Sequence, residues 1–165
     1  MAQAASTVTQ KAIERLGASE GMPAAVSVLA DLTGIQVAPF AVHQIFGHNV
    51  APEIVDRSTA SVYPVLNVYS SKVTNALREK FRTFSGSVEM CIEVRVSLDR
   101  LEGMQTQSHF YADAVTRVLD GNRGDWGDGV FYAGGYEIQY SQIKHGGKNF
   151  LQIVKILFTA EVSMN

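Results

Sequence analysis

The sequence predicts an α+β fold in which helices pack on a single mixed or antiparallel β-sheet of about four to five strands. Residues 87–99 alternate apolar and polar side chains as a half-buried strand does, and residues 110–119 have the wide apolar face of a helix that ends at Gly121. Two further strand-like stretches, residues 130–143 and 149–162, follow. The order strand, helix, strand, strand therefore fills the C-terminal half of the chain.

The alternation at residues 87–99 predicts two faces. The apolar face consists of Val88, Met90, Ile92, Val94, Val96 and Leu98, and the polar face of Glu89, Cys91, Glu93 and Arg95. Arg95 lies between the glutamates and Asp99, which indicates cross-strand charge pairing. A thiol nucleophile needs a neighbouring base or positive field, and since the sequence supplies neither, we expect Cys91 to be semi-exposed and inert.

Composition favours one domain that associates with other subunits. The 165-residue, 18.0 kDa chain fits a single domain over residues 1–165, with a helical part at 1–34 and a sheet-and-helix core at 62–165. Only 18% of its residues are charged, below the usual share of about a quarter, and 46% are hydrophobic. We therefore expect some of its surface to be buried against neighbouring subunits.

Several partners are disfavoured by the same data. A net charge of -2 gives no basic excess of the kind that phosphate-backbone binding needs, so nucleic acid is not an obvious direct ligand. No window approaches the roughly 20 apolar residues of a membrane span. Residues 1–10 do not resemble a signal peptide, and a single cysteine suits a reducing compartment. We expect a soluble protein that folds in the cytoplasm.

Two short helices are predicted at the N-terminus. Thr7 and Gln10 have the spacing of a capping box, and the apolar stripe that follows ends at Gly17. A second helix is expected to begin at Pro23 and to end at Gly34. The next stretch, residues 35–46, favours an edge strand or a broken one because Pro39 cannot donate to a ladder.

The middle of the chain contains its most basic stretch. A long loop is predicted at residues 47–61 and a strand at 62–69, whereas residues 71–86 fit either a helix or a long β-hairpin arm that projects from the sheet. Two aromatics amid basic residues favour a contact surface over a solvated face. The candidate contact residues are Lys72, Arg78, Lys80, Phe81, Arg82 and Phe84.

The C-terminal loops have structural interpretations. Residues 121–129 predict a flexible turn with Trp126 folded over the edge of the core, and Gly146 and Gly147 predict a hairpin turn. The last strand is apolar on nearly both faces over residues 150–158, so we expect helices to cover one side and a neighbour the other.

No motif for catalysis, a cofactor or a metal is apparent. The histidines His43, His48, His109 and His145 do not have zinc-motif spacing. The loop at 121–129 lacks the order of a calcium loop and of a phosphate loop. We therefore expect no catalytic, cofactor-binding or metal site.

The order of elements resembles that of the tail terminator, or tail-completion, proteins of long-tailed bacteriophages. The residues behind the resemblance are 63–68, 88–98, 110–119 and 136–162. The resemblance implies an α+β subunit, neither an enzyme nor dependent on a cofactor, that forms a homohexameric ring in the virion. Such a ring caps the tail tube, stops its polymerisation and offers a surface to a neck or head-completion protein, with DNA only as passing cargo.

Alternatives remain open at this point. The chain could be a neck or head-completion protein of the same general shape, or a small adaptor that binds a ligand or peptide in a pocket with residues 121–129 as its rim. An enzyme using His109 or the aspartates of that loop has no motif in its support. Two helices and a long loop before residue 62 are more elaborate than the single N-terminal helix that the family implies.

Overall fold

The computed structural model describes residues 3–50, 62–145 and 148–165. Within them the helices are α1 (Ala4–Gly17), α2 (Met22–Thr33) and α3 (Met104–Asp120), with a 3-10 turn at Val42–Gln44. The strands are β1 (Ile45–Phe46), β2 (Val65–Asn75), β3 (Phe84–Leu98), β4 (Gly124–Gly127), β5 (Val130–Tyr132), β6 (Glu137–Tyr140), β7 (Lys144–His145) and β8 (Phe150–Met164). The predicted α+β class is confirmed.

The sheet is larger than predicted, with eight strands among the described residues instead of four to five. Its order is β1-β2-β3-β8-β5-β4, and β6 and β7 also pair with β8. The β1 and β2 pair is parallel and the others are antiparallel, so the sheet is mixed. The extra strands arise because the predicted strand at 130–143 is divided into β5 and β6, with β7 directly after it, and because β4 forms in the predicted turn. β5, β6 and β7 all pair with β8.

The helices lie against one face of this sheet, which we call the covered face. Thr9 of α1 contacts the sulfur of Met90, and Ser108 of α3 donates a hydrogen bond to Gln152 at 2.7 Å. Both sheet residues occupy even-numbered positions, and the predicted apolar face of β3 is buried from Val88 to Val96, with Leu98 partly buried. The even positions of β8 from 152 to 162 are buried too.

Both N-terminal helices are confirmed, but the capping box is wrong. The first helix begins at Ala4, so Thr7 lies inside it, and the N-cap residue Gln3 makes no side-chain cap bond. The second has Pro23 in its first turn and ends at Gly34, whose left-handed φ of 73° closes the helix. Only Ile45–Phe46 of the stretch at 35–46 forms a strand, at the sheet edge as expected.

Residues 71–86 form a β-hairpin, and the helical alternative is wrong. β3 pairs with β8 along its whole length, as far as Phe84 opposite Met164. Most of the predicted projecting arm is therefore part of the sheet, and only residues 76–83, here called the tip loop, connect β2 and β3 beyond their ladder. Residues 51–61 of the predicted long loop and the predicted turn at Gly146 and Gly147 lie outside the described residues.

Candidate interaction surface

The sheet face opposite the helices, here called the open face, consists of the odd-numbered positions of β3 and β8 and of β2 as far as Tyr69. An irregularity between Ser70 and Lys72 places the even positions of β2 in this register from Lys72 onward. The pairing register aligns these positions across the three strands. From one end the rows are Val65, Arg95 and Ile153, then Asn67, Glu93 and Lys155, then Tyr69, Cys91 and Leu157. This face therefore brings charges, a thiol, a phenol and apolar side chains together on one surface.

A buried ion pair lies at the centre of the open face. Glu93 is 4% exposed and Arg95 8% exposed, and Arg95 donates from Nε to Oε1 of Glu93 at 3.0 Å. The Tyr69 hydroxyl donates to the other carboxylate oxygen at 3.0 Å, and Arg95 also donates to the carbonyl of Val50. These bonds compensate both charges, which would otherwise be costly to bury.

The expected cross-strand charge pairing is found for Glu89, which pairs with Lys72 of β2, and is wrong for Arg95 and Asp99. Arg95 pairs with Glu93 two residues earlier on its own strand, and Asp99 contacts Arg100. The cross-strand contribution comes instead from Tyr69, because the register brings β2 alongside. Sequence analysis missed Tyr69, since no local pattern shows which residue of another strand faces Glu93.

Cys91 is buried at 1% exposure, so its predicted semi-exposed position is wrong. Burial is the main reason that the pKa of its thiol is raised, which disfavours the reactive thiolate. Burial also raises the pKa of Tyr69 far above its usual value. The Oδ1 atom of Asn67, in the next row, is buried without a hydrogen-bond partner. The open face is therefore tightly packed around its central rows.

The rest of the open face mixes polar residues with half-buried apolar side chains. Leu151, Ile153 and Leu157 of β8 point away from the helices and are partly exposed, whereas the intervening Lys155 is exposed. We expected both sides of this strand to be covered, and the chain's own helices cover only the even-numbered one. A half-apolar sheet face of this kind is typical of a surface that contacts other proteins.

The tip loop has a defined conformation. The side chain of Asn75 donates to the carbonyl of Thr83 at 3.0 Å and accepts from the amides of Leu77 and Ser85 at 3.2 and 3.1 Å. The amide of Glu79 donates to the Ser85 hydroxyl at 2.8 Å. These bonds hold the loop in one conformation.

Two apolar residues of the tip loop adopt a backbone conformation that side chains rarely accept. Leu77 has a φ of 48° and Phe81 a φ of 69°, both in the left-handed region. Phe81 is fully exposed, and Leu77 is 62% exposed. Strain of this kind recurs at binding surfaces, so the tip loop is a candidate contact site on conformation as well as on composition.

The six predicted contact residues lie in different surroundings. Phe84 is 6% exposed and belongs to the core, so its expected role as an exposed contact is wrong. Phe81 and Lys80 are exposed. The remaining three are exposed and paired within the chain: Lys72 with Glu89 at 3.6 Å, Arg78 with Glu161 at 2.7 Å, and Arg82 with Glu79 at 3.5 Å.

A depression of about 510 Å³ opens on the same face, between β3 and the irregular edge of β8. Its walls include Glu89, Glu137, Leu157 and Thr159, with the backbone of Gly134 and Gly135 at one side. The glycines have φ values of 104° and 91° and form a bulge between β5 and β6. We did not predict this site, although paired glycines inside a strand-like stretch indicate a bulge.

The other candidate groups have structural roles. Residues 124–127 and 130–132 form a short hairpin whose Trp126 is buried and donates to the carbonyl of Asn122 at 2.7 Å. Trp126 thus covers the core edge as predicted, but the loop is a strand pair and does not line the depression. Gly129, at the end of the loop, lines a second and smaller depression of about 170 Å³ beside Arg78 and Glu161.

Three histidines stack on aromatic rings. His109 packs edge-on against Tyr140 at 5.1 Å, His145 against Phe150 at 4.9 Å, and His48 lies 5.4 Å from Phe46. Over residues 3–50, 62–145 and 148–165, no three histidine, cysteine or acidic side chains lie close enough to hold a metal ion. No helix in those ranges is long and apolar enough to cross a membrane.

Comparison with known proteins gives no identification. No protein-family model matches the chain, and no curated protein matches it.

Proposed function

We propose that the chain is a structural subunit of a homohexameric ring, of the tail terminator type found in long-tailed bacteriophages. In this role the ring binds the end of the tail tube, stops its polymerisation and joins the tail to the head. The subunit needs no cofactor and performs no catalysis. Its location is the tail or neck of the virion, after assembly in the host cytoplasm.

One observation supports this proposal above the others: among the residues that the structure describes, two different surfaces have exposed apolar side chains that no helix covers. The tip loop presents exposed Phe81 and Leu77, and the open face presents half-exposed Leu151, Ile153 and Leu157. An association that joins two different patches is heterologous, and it forms a ring when its rotation closes and an open filament when it does not. A chain that functioned as a monomer would leave both surfaces in water.

The order of elements supports the particular kind of ring. The long hairpin of β2 and β3, the helix α3 and the closing strand β8 follow each other as the resemblance implies. The partners implied are the tail-tube protein on one side and a neck or head-completion protein on the other. With a net charge of -2, the chain suits DNA as passing cargo and not as a bound ligand.

Electron microscopy of the purified chain, alone and with the tail-tube protein encoded in the same genome, tests the proposal. We expect rings of about six subunits, and tubes that stop growing once the ring is added. Leu157→Ser on the open face should reduce ring formation because it removes apolar contact area, whereas Leu101→Ser in the exposed loop after β3 is the matched control and should not.

Two outcomes would contradict the proposal. A protein that stays monomeric alone and with tube protein is no ring subunit. Rings that leave the tube length unchanged but bind a neck protein would show that the chain is a neck component and not a terminator.

A further inference from the structure

We propose that the tip loop of one copy docks into the depression on the open face of the next copy, with Phe81 filling it and Lys80 pairing with Glu137. This inference rests on the proposed ring, and it names the contact that would build it. The partner is a second copy of this chain.

Phe81 has the properties of an interface anchor. It is an aromatic side chain that is fully exposed in the single chain, at the end of a loop held by the Asn75 side chain. Aromatic residues dominate the energy of many interfaces. Because the loop is already ordered, little conformational entropy is lost when it docks.

The depression has room for such an anchor. Its volume of about 510 Å³ is typical of sites that enclose small ligands, which run from about 300 to 1,000 Å³. Leu157 contributes an apolar wall, and Gly135, which has open space where a side chain would stand, lets an incoming group approach the backbone. An aromatic ring with part of its loop matches this combination of size and chemistry.

The charges of the two surfaces are complementary. The tip loop contains Arg78, Lys80 and Arg82 against one acid, whereas the depression is lined by Glu89 and Glu137. Among the described residues, Lys80 and Glu137 make no ion pair, and Glu89 has only an exposed contact with a lysine at 3.6 Å. Docking therefore pairs charges that the single chain leaves in water.

A chain does not reach its own depression. Glu89 lies six residues along β3 from Thr83 at the end of the tip loop, which is roughly 20 Å at the rise of a strand. The tip loop is also fixed to β8 by the bond from Arg78 to Glu161. The two patches must therefore belong to different copies, which makes the contact heterologous.

Disulfide trapping tests which residues meet. Phe81→Cys and Glu137→Cys are made on separate chains, mixed and mildly oxidised, and the native thiol of Cys91 is buried. We expect a mixed disulfide dimer in at least about tenfold excess over that from Leu101→Cys mixed with Glu137→Cys. Equal yields from both mixtures, or dimers of the Phe81→Cys chain with itself in excess, would overturn the inference.

Charge exchange provides a second readout that does not depend on thiols. Lys80→Glu and Glu137→Lys should each weaken association about tenfold, and the double variant should recover most of it. Arg100→Glu, in the loop at the other end of β3, is the control and should associate as the wild type does.

The two proposals fail differently. If the wild type forms rings that none of these substitutions weakens, the proposed docking contact is wrong and the proposed ring remains supported. If the wild type never associates, both are wrong.

Discussion

The two faces of the central sheet differ in side-chain chemistry and burial although they belong to the same strands. Ile92 and Ile156 on the covered face are fully buried among apolar side chains, as a core requires. Their neighbours in the chain include Glu93 and Leu157 on the open face, where one is charged and buried and the other is apolar and partly exposed. The stability of the fold explains the composition of the covered face, but it does not explain that of the open face.

The difference indicates what each face contributes. Burial of apolar area stabilises the covered face. A buried ion pair contributes little net stability, because desolvation offsets much of the attraction. The open face therefore combines a weakly stabilising centre with apolar flanks, an arrangement that association explains better than stability does. The predictions below test this contrast, from the largest expected effect to the smallest.

Ile156→Ala should lower the free energy of unfolding by about 4 kcal/mol, because it leaves a cavity in the covered face. Leu157→Ala, one residue later on the other face, should cost about 1 kcal/mol in dilute solution, since that side chain is already partly exposed. Urea denaturation of both variants measures the difference. Equal losses would mean that the open face is as much a core as the covered one.

Arg95→Met should cost about 3 kcal/mol, because it leaves the Glu93 carboxylate buried without its main partner. The double variant Glu93→Leu with Arg95→Met is the control, and it should lose less than the single one. The denaturation midpoints of the single and the double variant measure these two losses of stability. A single variant as stable as the wild type would show that the pair is not buried as described.

Alkaline pH should destabilise the fold by about 2 kcal/mol through Tyr132, whose pKa burial raises to about 12, with a further contribution from the Asp120 carboxylate. The folded chain holds this proton more tightly than the unfolded chain, where the pKa is 10.0. The stabilisation is therefore complete below pH 10 and is lost as the pH rises through 12. Tyr132→Phe removes this contribution, so an unchanged pH profile in the variant would contradict the prediction.

Arg78→Ala should change the free energy of unfolding by less than about 0.5 kcal/mol, because its ion pair with Glu161 is exposed. The same change should weaken association, since it removes one of the bonds that hold the tip loop against β8. Thermal unfolding and sedimentation velocity separate the two effects. A large loss of stability without an effect on association would show that Arg78 stabilises the fold and does not contribute to association.

The sequence alone was sufficient to predict which residues form the covered face, but not how the residues of the open face contact one another. The alternation from Val88 to Val96 and the apolar face of α3 identified the core because their periodicity is local. The bond from Tyr69 to Glu93 depends on the register between two strands, which no local pattern contains. Composition alone could not separate Phe81, in the tip loop, from Phe84, which the ladder with β8 places in the core.

The depression illustrates the same limit. Its walls come from β3, β8 and the bulge at residues 134 and 135, so it exists only once the strands are paired. The glycine pair was visible in the sequence, but the acids that it brings together were not. The segment that contains the tip loop, by contrast, was predicted as a contact surface from its basic and aromatic composition. The sequence did not decide whether this segment is a helix or a hairpin.

The mass of the wild-type chain in solution tests most directly whether other copies cover its open face and tip loop. Light scattering over about a hundredfold range of concentration, with and without tail-tube protein, measures it. The account predicts a discrete species of about six times the 18.0 kDa chain mass. A mass of 18.0 kDa at every concentration and in both conditions would contradict it.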